Sequence, residues 1–296
     1  MQLINCLVFF LSTCVLIPID TVFRELEPIS VKQLSEAYEG RFDISGIVDT
    51  PTGTFVIADK SDNRFIYQIE WTESDRWEIV KEIPLAIKGP IDFEALDYAD
   101  GFFFMTNEYD NEVYKINEDG SKIESLSIGF RKAEERVRKW KKNTGLEGLA
   151  IDTKRHLLYL AKERQPRFIA VADLESGEVQ NKVNFPETES NDISDMKVDH
   201  GFLYVLERNG NYITKLNPDT WEVIEKVSYR NTCSNNEGKL YEPTNFGMAE
   251  ALLLTEDEIW VALDNNELKA SAFAEKQFGM KGDKPVIIRF KRPEGF

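Results

Sequence analysis

GLEGLAIDTKRHLLYLAKERQPRFIAVAD, residues 145–173, sets the reading of the whole chain. Three short apolar runs follow one another in it. They cover residues 146–151 (around a lone Glu147), 157–161 and 168–172. The polar turn DTKRH parts the first two, and a charged corner from Lys162 to Arg164 ends the second. Runs this short, bounded by turn residues and rich in aromatic and branched side chains, predict strands and not helices.

The same plan recurs four more times. DISGIVDTPTGTFVIADKSDNRFIYQIE spans 43–70, DFEALDYADGFFFMTNEYDNEVYKIN spans 92–117, and DISDMKVDHGFLYVLERNGNYITKLN spans 192–217. MAEALLLTEDEIWVALDNNELKA spans 248–270, with its outer strand displaced to 286–290. Several units continue into a fourth strand, at 77–82, 122–128, 179–185 and 221–227. A period of roughly 45–55 residues with about four strands per unit is the signature of a β-propeller, whose blades bury their faces against each other. The chain therefore reads as all-β, a propeller of five four-stranded blades. EPISVKQL at 27–34 is placed to supply the outer strand that closes the ring on the last blade. A degenerate sixth blade could occupy 230–247, although that stretch is rich in Asn, Gly and Pro. Two insertions interrupt the pattern: a charged, helical RKAEERVRKWKKN at 131–143 and a loop with short-helix character at 265–284.

The remaining features bound the function. The 296 residues carry a net charge of −16, which argues against a nucleic-acid partner. MQLINCLVFFLSTCVLIPI, residues 1–19, has no charged side chain and reads as a signal peptide or an N-terminal membrane anchor. The domains are then 1–20 as leader and 21–296 as propeller, with export to the periplasm or cell surface. The LSTC ending at Cys14 loosely matches a lipoprotein box. Cys233 alone remains in the globular part, so it has no disulfide partner there. Two histidines, His156 and His200, both in turns, leave little material for a His-based zinc site or triad.

Equivalent positions in the first strand of each unit read Ser45, Glu94, Glu147, Ser194 and Glu250. In a propeller these strands line the central channel, so the five residues form a ring. Small neighbours, Gly46, Ala95, Gly148 and Ala251, let the strands approach closely. Two residues earlier stand Asp43, Asp92 and Asp192, facing the same way, and Asp195 adds a further acid in the fourth unit. Three glutamates with no Lys or Arg in their row repel one another unless protonated or shared by a cation. Oxygen-only donors of mixed charge suit Ca²⁺, which accepts irregular cages where Mg²⁺ does not. The candidate metal ligands are therefore Glu94, Glu147, Glu250, Ser45, Ser194 and Asp195.

A second row falls at the corner after the second strand: Lys60, Glu108, Glu163, Arg208 and Asp264, with Lys162 beside it. It reads as a channel rim, serving either as blade-to-blade ion pairs or as a ligand contact.

The motifs GLEGLAID, LYLAKERQP, DISDMKV and LYVLER resemble those of the SdiA-regulated family of bacterial exported or membrane-tethered propellers. That resemblance implies five blades, distant kinship to NHL-repeat propellers and calcium binding, and it carries over no catalytic activity. Two functions stay open. The first is a calcium-stabilised interaction module that meets a protein or glycan at the cell envelope. The alternative is a calcium-dependent hydrolase of phosphoesters, lactones or other esters. In it Glu94, Glu147 and Glu250 hold the ion and Glu108 or Glu163 acts as base.

Overall fold

Five inner strands, Ile44–Thr50, Phe93–Ala99, Leu146–Asp152, Asp195–Asp199 and Ala249–Leu254, pack each on the next, and the last packs on the first. That closed ring is the axis of a five-bladed β-propeller. The computed structural model describes residues 23–59, 63–72, 76–129, 145–164, 167–184, 192–244 and 247–296. The leader at 1–19, Lys60 and the charged insertion at 131–143 lie outside them.

Each blade runs outward as an antiparallel meander. Blade 3 takes the order Leu146–Asp152, Leu157–Lys162, Phe168–Asp173, Val179–Val183, and blades 1, 2 and 4 repeat it. Blade 5 has only three strands from its own stretch, the third being Val286–Lys291. Its fourth is the N-terminal strand Pro28–Leu34, antiparallel to Val286–Lys291, as the sequence predicts. The same N-terminal stretch also pairs in parallel with blade 1, Gln33 and Leu34 opposite Arg76 and Trp77. Just upstream, Arg24–Glu25 pairs in parallel with the outer strand of blade 4. One stretch thus ties three blades together.

The apolar core is divided as the architecture requires. Five buried clusters each fill one gap between neighbouring blades, for example Ile47, Tyr67, Ala251 and Trp260 between blades 1 and 5, and Leu149, Leu160, Ala95 and Phe104 between blades 2 and 3. Alternation along each strand gives both blade faces an apolar neighbour, so no blade folds its core alone. The described residues of 230–247 form no sixth blade. They make a four-residue helix, Arg230–Cys233, and a two-residue hairpin, Ser234–Asn235 with Gly238–Lys239. The 265–284 insertion supplies the helix Ala272–Phe278, capped by the Ser271 side chain at its start and by left-handed Gly279 at its end.

Every blade starts on its inner strand and repeats one order, so the starts of all five inner strands gather at one mouth. The antiparallel partner brings the corner after each second strand to the same end.

Candidate metal centre at the channel mouth

The backbone fixes which residues share the mouth. The amide N–H of Asp59 donates to Asp43 O (2.9 Å), Glu108 to Asp92 O (2.8 Å), Glu163 to Gly145 O (3.1 Å) and Asp264 to Met248 O (2.9 Å). These four bonds define one row. In blade 1 it contains Asp59, one residue before the Lys60 expected from the sequence. The corner row is therefore Asp59, Glu108, Glu163, Arg208 and Asp264, four acids and one arginine.

The inner row is set by bulges. In blades 1, 2, 3 and 5 the pairing of the inner strand skips one residue, between Ile44 and Gly46, Phe93 and Ala95, Leu146 and Gly148, and Ala249 and Ala251. The skipped residues are Ser45, Glu94, Glu147 and Glu250. A bulge re-aims its extra side chain and is common beside functional sites. Row alignment finds these residues, but no sequence rule applied above locates the bulges, though the small residue after each one is a trace of the close packing there.

Arg208 reaches across from the corner of blade 4 into this acidic mouth. Its Nη1 lies 2.7 Å from both Glu250 oxygens, its Nε 3.1 Å from Asp192 Oδ2, and its Nη2 hydrogen-bonds Glu163 and stands 3.6 Å from Glu147 Oε2. The self-repulsion expected of the glutamate row is thus relieved on one side by a guanidinium from the neighbouring row. Burial works against that charge, but Glu250, Glu147, Asp192 and Glu163 outweigh it and hold Arg208 protonated well above its ordinary range.

The acids on the other side are less well compensated. Oxygens of Glu108, Glu147 and Glu163, all three buried, lie within 4.8 Å of one another, and so do those of Asp59, Asp92 and Glu94. Glu163 is 0 % exposed; its Oε1 also pairs with the half-exposed Arg164 at 2.7 Å, and its Oε2 has no hydrogen-bond partner. Glu108 Oε1 accepts from the Gly145 amide at 2.7 Å. A Cβ on residue 145 would sit 2.5 Å from Glu108 Cγ, so only glycine leaves room for that carboxylate. Burial, then Glu147, Asp59, Asp92 and Glu108, push the Glu94 carboxyl well above its ordinary range. Burial likewise raises Glu147, more than Arg208 lowers it, and it raises Glu108, Glu250 and, to about 8, Asp264. These groups resist losing their protons unless a cation joins them.

Of the other sequence candidates, Ser45, Lys162 and Asp195 are engaged elsewhere and Ser194 is not. Ser45 Oγ donates to Phe93 O across the blade 1–2 gap at 2.6 Å. Ser194 is buried, and its hydroxyl has no hydrogen-bond partner. Lys162 is buried, with Nζ donating to Arg164 O at 2.6 Å. Asp195 accepts from the Met196 and Leu252 amides, both at 2.8 Å, and pairs with Lys197 at 3.2 Å. Lys197 in turn donates across the ring to Leu96 O of blade 2 at 2.8 Å. Asp195 therefore joins blades 4 and 5, and with Lys197 it forms a layer of charge inside the ring.

A hard divalent ion fits the Glu108–Glu147–Glu163 cluster on its chemistry, since the donors are all oxygen and one buried carboxylate oxygen lacks a partner.

Among solved structures, the chain is similar to the glutaminyl cyclase of Myxococcus xanthus, at 10 % identity over 90 % of this chain and 96 % of that one, with a TM-score of 0.58. It is more distantly similar to a chain of the nidogen/laminin complex (13 %, 77 % and 74 %, TM-score 0.46). It also matches the PQQ-bound aldose sugar dehydrogenase of Streptomyces coelicolor (12 %, 90 % and 99 %, TM-score 0.44). The first of these likenesses supports the propeller fold. Curated protein sequences gave no match. The sequence profile of the Phytase-like family, described as "Esterase-like activity of phytase", matches residues 41–267, so the chain belongs to the Phytase-like family.

Proposed function

We propose that this propeller is a divalent-cation-dependent hydrolase of phosphoesters or other esters, working at the acidic mouth. The observation that carries the proposal is the buried Glu108–Glu147–Glu163 cluster, in which Glu163 Oε2 is unpartnered. The description of its family as esterase-like supports the reaction class. Glu108, Glu147 and Glu163 would hold the ion, with Ca²⁺ the best match to an irregular oxygen cage. When bound, such an ion polarises a phosphoryl or carbonyl oxygen and acidifies water. Glu94 adjoins the cluster and has no hydrogen-bond or ion-pair partner among the described residues, which leaves its carboxylate to orient a water or accept its proton. Both histidines stand in turns with positive φ, His156 at 55° and His200 at 47°, away from the strand starts that form the mouth. Proton transfer at this site therefore falls to carboxylates.

The test is a panel of p-nitrophenyl phosphate, p-nitrophenyl esters, phytate and lactones, with millimolar Ca²⁺ or with EGTA. Calcium-dependent turnover, lost in Glu147→Gln, is expected. No turnover of any member with calcium present refutes the reading. A second reading, a calcium-stabilised binding module for a protein or glycan at the cell envelope, is favoured by one observation. The Arg208 guanidinium is already shared among Glu250, Asp192, Glu163 and Glu147 and is poorly placed to bind a phosphate. In either case the apolar leader at 1–19 and the resemblance to SdiA-regulated propellers support action outside the cytoplasm, with attachment through that segment. Cell fractionation with and without residues 1–20 tests this.

A further inference from the structure

The mouth is five-fold in its backbone but not in its charge. Four blades place an acid at the corner position, Asp59, Glu108, Glu163 and Asp264, and blade 4 alone places an arginine. From that corner Arg208 spans both rows, taking both oxygens of Glu250, one of Asp192 and one of Glu163, and standing farther off, at 3.6 Å, from Glu147 Oε2. Its donors are thereby consumed on the side of blades 4 and 5. Across the mouth, the carboxylate of Glu94 has no hydrogen-bond or ion-pair partner among the described residues, Glu108 accepts from the Gly145 amide, and Glu163 keeps Oε2 unpartnered while Arg208 and the half-exposed Arg164 both meet its Oε1. A guanidinium and a divalent ion compete for the same carboxylate oxygens and repel each other at close range, so the oxygens held by Arg208 are the weaker metal donors.

We propose that Arg208 is a resident counter-ion that closes the blade 4–5 side of the ring to metal, so that the divalent cation sits off the propeller axis, against blades 2 and 3. This rests on the metal reading of the same site. It divides the ring glutamates into two kinds: Glu147 is a ligand, whereas Glu250 serves only to hold Arg208. Asp192, one strand end away, belongs with Glu250. Glu163 is the hinge between the halves, with one oxygen on the arginine and the other on the ion.

The test is Ca²⁺ affinity by chelator competition on the full-length protein, independent of any turnover. Glu108→Gln and Glu147→Gln alter the metal side, and Glu250→Gln and Asp192→Asn alter the arginine side. The expected result is affinity at least ten-fold weaker in the first pair and within three-fold of the parent in the second. Native mass spectrometry of Arg208→Gln, purified in calcium, is expected to show one more bound ion than the parent, because both oxygens of Glu250 are released. Equal weakening in both pairs would place the ion on the axis and overturn the proposal while leaving the metal reading intact. An unchanged ion count in Arg208→Gln would overturn the counter-ion role. Absence of calcium binding in the parent protein would overturn both.

Discussion

Replacing Lys197 by Met removes the one cation that pairs with Asp195 among the described residues, and the structure sets how the loss must depend on pH. Lys197 Nζ lies 3.2 Å from Asp195 Oδ2 and 2.8 Å from Leu96 O, and both side chains are buried. At that distance the gross attraction is about 5 kcal/mol for an effective dielectric constant near 20, but it exists only when Asp195 is ionised. Burial, opposed by Lys197 and two backbone amides, raises the Asp195 carboxyl to about 7. An acid raised in the folded state binds its proton more tightly there than when unfolded. Its contribution to stability therefore falls as pH rises from about 4 to about 7 and then levels off once the folded group ionises. In Lys197→Met the carboxyl is held still higher, so the fall continues past pH 7. At pH 6 the variant loses mainly the hydrogen bond to Leu96 and some packing, about 2 kcal/mol. At pH 8 the parent has gained about 1.4 kcal/mol by ionising and the variant has not, so the difference grows to about 3–4 kcal/mol. Urea unfolding at the two pH values reads both numbers. An equal loss at pH 6 and pH 8, or a loss below about 0.5 kcal/mol at both, would refute the reasoning.

Three further outcomes follow from the same geometry. Gly46→Ala would place a Cβ 2.8 Å from the backbone N and Cβ of Leu96, so overpacking of the blade 1–2 gap should cost about 1–3 kcal/mol in denaturant unfolding. Burial raises the carboxyls of Glu94, Glu108, Glu147 and Asp264 above their ordinary range, so without calcium the melting temperature should fall from pH 5.5 to pH 8. Millimolar Ca²⁺ should remove most of that fall, and a melting temperature that rises with pH in EGTA contradicts the assignment. Burial lifts the Cys233 thiol to about 12, so Cys233, followed in a Cys6→Ser/Cys14→Ser variant, should react with a disulfide reagent at pH 8 at least about 100-fold more slowly in the native protein than in the unfolded chain.

The propeller was legible in the sequence because each blade repeats one local pattern. Five apolar strand triplets with turn signals at matched offsets leave few other folds, and EPISVKQL could be matched to the missing strand of the last unit. The site was only partly legible. Glu147 emerges from row alignment alone, since equivalent positions in a propeller share a channel. The role of Arg208 does not. Its partners Glu163 and Glu250 lie 45 and 42 residues away in sequence, and only the closed ring brings them within 3 Å. The one-residue error at Lys60 arises because a strand end in ADKSDN carries charges on both candidate positions, and pattern alone does not choose between them. The bulges escaped for a similar reason: a skipped residue leaves the alternation intact on either side. Family identity followed the same division. The motifs around GLEG point to an SdiA-regulated name, whereas the profile that matches is Phytase-like, and the two agree on architecture.

The central claim is that blades 2 and 3 hold a divalent cation at the mouth. Diffraction from crystals of the protein grown in millimolar Ca²⁺, with anomalous data collected, tests it most directly. The account predicts a peak about 2.3–2.6 Å from oxygens of Glu108, Glu147 and Glu163, with Arg208 still seated on Glu250. A mouth with no anomalous peak at saturating calcium would contradict it.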